Sequence, residues 1–121
     1  MPGIETDPRA PELSIADKLR WCLSNLGQRI TTVAVNPAQL DASVVRAWAD
    51  GSVPADSQPR VSMLYDAAAR VSEVYDEQTA RAFLRSSNPD ADDMSLLTVI
   101  AQSGPEEARV IVDHSLRAFL D

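Results

Sequence analysis

The sequence predicts an all-α fold, and three observations support this prediction. Apolar residues recur every three or four positions through most of the chain, which is the spacing of one face of a helix. Several of these segments begin at a residue whose side chain can accept hydrogen bonds from the first N–H groups of a helix, and they end at glycine or before proline. With 121 residues, of which 45% are hydrophobic, the chain can bury a core as one compact domain or as two small ones that share it.

Four helices are predicted up to residue 75. The first begins after Ser14 and stops at Gly27. The second is short, and its apolar run at residues 33–35 contains β-branched valines that fit a strand equally well. The third lies between Asp41 and Gly51, and a long fourth helix follows the next two prolines. The fourth helix is predicted to turn one apolar stripe inward, namely Val61, Leu64, Tyr65, Ala68, Val71, Val74 and Tyr75.

Three more helices are predicted after residue 75. Asp76 begins the fifth, and the run 86–89 ends it because the residue before a proline disfavours the helical conformation. The sixth stops at Gly104, and Pro105 suits the first turn of the seventh. Residues 1–12 combine three prolines and a glycine with acidic residues, which predicts a flexible tail.

The composition argues against several classes of protein. Cys22 is the single cysteine and His114 the single histidine, so a disulfide framework and a four-ligand zinc site are both excluded. His114 and Asp113 are neighbours in sequence and would not face each other on a helix, and no glycine-rich phosphate loop is present. We therefore expect a protein that is not an enzyme and that needs no metal and no cofactor. Nothing in the sequence predicts a membrane span or a signal peptide, so the expected location is the cytoplasm.

Charge is distributed unevenly along the chain. Residues 18–60 carry five bases and three acids, whereas residues 76–121 carry four bases and nine acids. The front half can therefore approach a polyanion that the back half would repel. The alternative interpretation is an ordinary solvated surface.

The front half has the element order of a helix-turn-helix unit, with two short helices, a connection, a third helix and a long supporting helix. On that arrangement Val45 and Trp48 point into the core, and Ser43 and Arg46 lie on the outer face of the third helix. Arg46 is the candidate for contacting guanine, although an exposed arginine is also common on any protein surface. The predicted DNA-contacting residues are Ser43 and Arg46 on the third helix and, for phosphate contacts, Arg29 and Arg60.

Three segments resemble a known family. Residues 83–89, Phe-Leu-Arg-Ser-Ser-Asn-Pro, are similar to the aromatic-Leu-Arg-x-x-Asn-Pro segment of the Xre/MbcA/ParS-like toxin-binding domain. Residues 94–97, Met-Ser-Leu-Leu, resemble the start of the following helix in that domain, and residues 44–51 resemble the end of an Xre-type recognition helix. The resemblance covers residues 14–121. The family's usual Trp is replaced by Phe83, and its usual Ser/Thr-Pro pair is replaced by Met94-Ser95.

The resemblance implies an antitoxin of a RES–Xre toxin–antitoxin module. Such antitoxins bind a RES-domain toxin that consumes NAD, block its active-site cleft with their C-terminal region and often repress their own operon. The implied organisation is a tail at residues 1–12, an Xre-like helix-turn-helix domain at 13–75 and a small helical toxin-binding domain at 76–121. The implied partners are the toxin and operator DNA, in a homodimer or a hetero-oligomer with the toxin. A free-standing Xre-type transcriptional regulator is the alternative function.

The predicted toxin-binding residues fall into two groups. By resemblance to the family motif the first group is Phe83, Arg85, Asn88 and Pro89. The second group is the C-terminal end, Phe119, Leu120 and Asp121, where two large apolar side chains and carboxylates could enter a cleft that normally holds phosphates. The alternative for this end is a last helical turn that docks on the chain's own core.

Overall fold

The computed structural model describes residues 13–36, 41–89 and 92–120. The predicted tail at 1–12 and the predicted site residue Asp121 lie outside these ranges. The described residues form seven α-helices and one two-stranded ribbon, so the prediction of an all-α protein is confirmed at this level. The elements are α1 (Ile15–Asn25), α2 (Gln28–Val35), α3 (Ala42–Asp50), α4 (Gln58–Val74), α5 (Glu77–Arg85), β1 (Ser87–Asn88), β2 (Met94–Ser95), α6 (Leu96–Gln102) and α7 (Pro105–Leu120).

Three helices begin at the capping residues that the sequence predicts. The Ser14 hydroxyl accepts a hydrogen bond from the Asp17 N–H at 3.1 Å, and the Asp76 carboxylate accepts one from the Thr79 N–H at 2.7 Å. Asp41 accepts the Ser43 N–H at 3.0 Å. These side chains satisfy N–H groups that have no partner within the helix. Residues 28–35 are helical, so the alternative of a strand at 33–35 is wrong.

The segment after α5 forms a ribbon that the sequence analysis did not predict. Ser87 pairs with Ser95 and Asn88 with Met94, in antiparallel orientation. The N–H of Asp93 donates to the carbonyl of Asn88 at 2.9 Å, and both Asp92 (φ 55°) and Asp93 (φ 67°) adopt the left-handed conformation. Aspartate tolerates this conformation better than most residues. The predicted break at residues 86–89 is therefore the first arm of a tight ribbon.

The longest helix, α4, is the centre of the hydrophobic core. It contacts α1, α2, α5, α6 and α7, and α2 in turn packs against α6. One continuous cluster of buried apolar side chains runs from Leu19 in α1 to Leu116 in α7. The predicted domain boundary between residues 75 and 76 falls at the junction of α4 and α5, and the core extends across it.

One part of the predicted inward stripe of α4 is wrong. Val74 and Tyr75 are 58% and 53% exposed, whereas Val61, Leu64 and Val71 are fully buried. The helix ends at Val74, and the backbone of Tyr75 leaves the helical conformation (φ −120°, ψ −107°). The side chain of Tyr75 consequently leaves the stripe and contacts the ring of Phe119.

Polar contacts from side chains to backbone join neighbouring helices. The buried Ser57 hydroxyl donates to the Val35 carbonyl, at the end of α2, at 3.0 Å. The Arg81 guanidinium on α5 donates to the carbonyl of Asn25, the last residue of α1, at 2.7 Å. Both bonds satisfy carbonyls that a helix leaves open at its C-terminus, and the cation also interacts favourably with the helix dipole.

Candidate protein-binding groove

A groove with a volume of about 710 Å³ lies between α5 and α7 and is closed at one end by β1. Residues one turn apart on α5 form one wall of the groove, and residues in the last turns of α7 form the other. None of the described residues that line it is ionisable. They are Gln78, Thr79, Ala82, Phe83, Ser86, Ser87, Asn88, Pro89, Ser115, Ala118 and Phe119.

Three aromatic residues contact one another at the edge of this groove, and we call Tyr75, Phe83 and Phe119 the aromatic cluster. Phe83 and Phe119 line the groove, and Tyr75 lies outside the lining and contacts Phe119. The ring centroids of Phe83 and Phe119 are 4.6 Å apart, and those of Tyr75 and Phe119 are 5.6 Å apart. Phe83 is half-buried against the core, whereas Phe119 and Tyr75 are 38% and 53% exposed. A contiguous exposed aromatic surface is uncommon on a monomer and is typical of a binding site for a protein or a ligand.

Polar side chains without charge form the β1 end of the groove. The Asn88 side-chain amide donates to the hydroxyl of Ser115, which is 4% exposed, and this bond ties the ribbon to α7. The hydroxyls of Ser86 and Ser87 lie nearby on the exposed rim. The groove therefore offers an apolar wall for packing and uncharged donors and acceptors that can orient what binds there.

The structure brings together four of the seven predicted toxin-binding residues. Phe83, Asn88, Pro89 and Phe119 all line the groove, although Phe119 is distant from the others in sequence. Arg85 is exposed on α5 outside the lining, and Asp121 is not among the described residues. Leu120 is half-buried against the chain's own core, which is the arrangement that the alternative interpretation of the C-terminal end predicts.

Sequence reasoning missed several residues of the groove and of the aromatic cluster. Tyr75 was placed on the inward face of α4, and Ala82, Ser115 and Ala118 were not singled out. A helical-wheel comparison could have placed Thr79 one turn from Phe83 in α5 and Ser115 one turn from Phe119 in α7, because residues four apart lie on one face of a helix. The pairing of the two helices requires the tertiary structure.

The predicted DNA-contacting residues are dispersed over α2, α3 and α4. Arg46 on α3 is exposed, and the Ser43 hydroxyl donates to the Asp41 carboxylate at 2.7 Å. Arg29 lines a small cleft with Ala42 at the start of α3, whereas Arg60 lines a different cleft beside Met63. The Arg60 guanidinium also donates to the Asp56 carbonyl at 3.4 Å.

The connection between α2 and α3 is longer than the turn of a typical helix-turn-helix motif. It comprises residues 36–41, whereas a helix-turn-helix motif usually has a turn of about three or four residues. Residues 37–40, including Pro37, lie outside the described ranges. The two helices do contact each other, and each also contacts α1.

Cys22 on α1 is part of the hydrophobic core. Its side chain has no exposed surface, and burial, with a smaller contribution from Asp66, raises the pKa of the thiol to about 12. Such a thiol stays protonated and is a poor nucleophile. Among the described residues, no three histidine, cysteine or carboxylate side chains are grouped as a metal site, and none of the helices has the length and apolar character needed to cross a bilayer.

Comparison with known proteins finds no relative of this chain. No protein-family model matches the chain, and neither a curated protein nor a solved structure is found to be similar to it. The groove itself and the motif resemblance at residues 83–89 are therefore the observations that bear on function.

Proposed function

We propose that this chain is the antitoxin of a RES–Xre-type toxin–antitoxin module and that it binds its toxin through the groove between α5 and α7. The observation that carries the proposal is the convergence of two independent predictions on one surface. Phe83, Asn88 and Pro89 were singled out by their motif, and Phe119 by its place near the C-terminus. All four line the same groove.

The chemistry of the surface suits a protein partner. Exposed aromatic side chains dominate the binding energy of many protein interfaces because they bury a large area at little cost in conformational entropy. An ionised side chain would not be matched by the uncharged walls of the groove, so the contact with the toxin is made by apolar and uncharged polar groups.

We infer how neutralisation occurs from the position of the groove beside the last turns of α7. A toxin held against the aromatic cluster has the last turn of α7 at its surface. We infer that this end covers the NAD-consuming cleft of the toxin and excludes its substrate. The side chains of α7 that are fully buried in the core all precede Phe119, so the end can contact a partner while the helix stays anchored.

The test is binding of a purified RES-domain protein from the same organism to the full chain, measured by isothermal titration calorimetry together with an assay of NAD consumption. Phe119→Ala is expected to weaken binding about a hundredfold, within the range of interface hot spots, and to restore NAD consumption. Val110→Ala is the matched control, because Val110 is an apolar residue on α7 that is 69% exposed and lies outside the groove. Equal inhibition by wild type and Phe119→Ala would overturn the proposal.

A second function, binding of operator DNA, is favoured by the exposure of Arg29 and Arg46 on adjoining helices. We expect Arg46→Ala to lower affinity for DNA from upstream of the chain's own coding sequence and to leave non-specific binding nearly unchanged, as measured by fluorescence anisotropy over a range of salt concentrations. An equal loss for every DNA sequence would assign Arg46 to phosphate contact instead of base readout.

A further inference from the structure

A hydrogen bond between two side chains joins the β1 end of the groove to its α7 wall. Asn88 Nδ2 donates to Ser115 Oγ, and both residues line the groove. The bond therefore connects the ribbon to a helix that follows 27 residues later in the chain. Ser115 lies one turn before Phe119 on α7, and residues four apart share one face of a helix. The bond thus sets where the ribbon lies relative to Phe119.

Little of this bond is open to a bound partner. Ser115 is 4% exposed, and Asn88 is half-buried and directs its amide nitrogen towards α7. A buried hydroxyl that is satisfied from another element constrains where that element can lie, because separating the two leaves polar groups unpaired. Any effect of Ser115 on a bound protein is therefore transmitted through the position of the ribbon.

The ribbon needs such an attachment because it is short. Each strand has two residues, and the Asp93 N–H donates to the Asn88 carbonyl across the turn. A two-stranded ribbon of this size has little stability of its own. On the β2 side the chain continues directly into α6, whose first residues Leu96 and Leu97 are buried in the core. On the β1 side the Asn88 side chain supplies the attachment to α7.

We propose that Asn88 is a positioning residue of the groove, which acts on the toxin through Ser115 and not by contacting the toxin itself. The bond holds the ribbon against α7, so the end of the groove has its final shape before the toxin arrives. A preformed groove loses less conformational entropy on binding, and the complex is tighter for that reason. This inference rests on the proposed function, because it concerns the same groove.

The first test is a double-mutant cycle on the affinity for the purified RES-domain protein, measured by isothermal titration calorimetry. Asn88→Ala and Ser115→Ala are each expected to raise the dissociation constant about tenfold, because each removes the same bond. The double variant is expected to bind no more weakly than the single ones, since the bond can be lost only once.

Ser72→Ala is the matched control for Ser115→Ala. Ser72 is also a serine within a helix, α4, and its hydroxyl oxygen is buried, but it does not line the groove. The substitution removes a buried hydroxyl without changing the attachment of the ribbon, so it is expected to leave the affinity for the toxin unchanged. Circular dichroism checks that each variant is folded.

The second test uses the free chain and needs no toxin. Hydrogen–deuterium exchange read by mass spectrometry is expected to become about tenfold faster in peptides that cover β1 and β2 when either Asn88 or Ser115 is replaced by alanine. Peptides from α4 are expected to keep their wild-type rates. A general loss of stability would accelerate exchange in α4 as well, so this comparison separates a displaced ribbon from an unfolded chain. Ser87→Ala removes an exposed hydroxyl from the same strand and is expected to leave both rates unchanged.

Wild-type affinity in Ser115→Ala together with weakened binding in Asn88→Ala would overturn the proposal, because Asn88 would then contact the toxin directly. Additive losses in the double variant, or ribbon exchange that stays at the wild-type rate, would overturn it as well. All three results leave the proposed antitoxin function standing. A full chain that binds no RES-domain protein would overturn that function, and the exchange rates would still decide whether the bond holds the ribbon in place.

Discussion

Two buried hydroxyls near α2 show how strongly the contribution of a side chain to the free energy of unfolding depends on its hydrogen bonds. Ser57 is 6% exposed and donates to the Val35 carbonyl, whereas Thr31 has no exposed surface and its hydroxyl has no partner among the described residues. Ser57→Ala leaves a buried carbonyl unsatisfied and is expected to lower the free energy of unfolding by about 1–2 kcal/mol. Thr31→Val keeps the side-chain shape, removes an unpaired hydroxyl and is expected to raise it by about 1 kcal/mol.

Urea denaturation of the two variants measures both changes, and Thr31→Ala is the control that removes volume as well as the hydroxyl. We expect that control to be less stable than Thr31→Val because it leaves a cavity. A loss of stability in Thr31→Val would show that the hydroxyl has a partner, such as a buried water molecule.

Cys22 gives a second prediction at the scale of the residue. Since burial raises the pKa of its thiol to about 12, we expect a thiol reagent at pH 8 to leave the folded chain unlabelled and to label it fully in urea. Mass spectrometry counts the modified chains. Rapid labelling without denaturant would show that α1 opens readily, because the thiol has no exposed surface in the folded state.

At the scale of the element, the cap of α5 predicts a pH dependence. Hydrogen bonds from Thr79 lower the pKa of the Asp76 carboxyl from its ordinary value of 3.8. A lowered pKa in the folded state means that this contribution to stability is complete above the ordinary value and is lost as the pH falls through the lowered one. Asp76→Ala is therefore expected to be less stable than wild type at pH 7, and the difference is expected to shrink below about pH 4.

Thermal unfolding followed by circular dichroism at pH 7, 4 and 3 tests this expectation. Asp76→Asn is the matched control, since its amide oxygen can still accept the Thr79 N–H but does not titrate. The prediction would fail if Asp76→Ala and wild type differed equally at pH 7 and pH 3.

The elements also show what the sequence could predict and why the rest was missed. Caps at Ser14, Asp41 and Asp76 are local signals, and the structure confirms the helix starts that they predict. The ribbon of β1 and β2 has two residues in each strand, which is too short for an alternating pattern to be recognised. The groove depends on how the core places α5 and α7 on either side of it, and such a long-range arrangement leaves no periodic signal in the sequence. Phe83 and Phe119 could thus be proposed singly, but their contact could not.

At the scale of the whole molecule, the position of α4 predicts that the chain unfolds as one unit. Its buried side chains are covered by α1 and α2 from the front of the chain and by α5, α6 and α7 from the back, and α2 itself packs on α6. A chain ending at Tyr75 would expose the face of α4 that α5 and α7 cover, so it is expected to lack a cooperative thermal transition. In the full chain, the fluorescence of Trp21 and Trp48, both in the front half, is expected to change at the same urea concentration as the far-ultraviolet circular dichroism of all the helices.

Separate transitions for the two signals, or cooperative unfolding of the chain ending at Tyr75, would instead assign the two halves to independent domains. The expected single transition has a consequence for how partners should be mapped. If α4 and α5 share a core, deletion of residues 76–121 removes the toxin-binding groove and the fold of the front half together. Point substitutions on the surface of the groove, such as Phe119→Ala beside Val110→Ala, then separate binding from folding, and a domain deletion cannot.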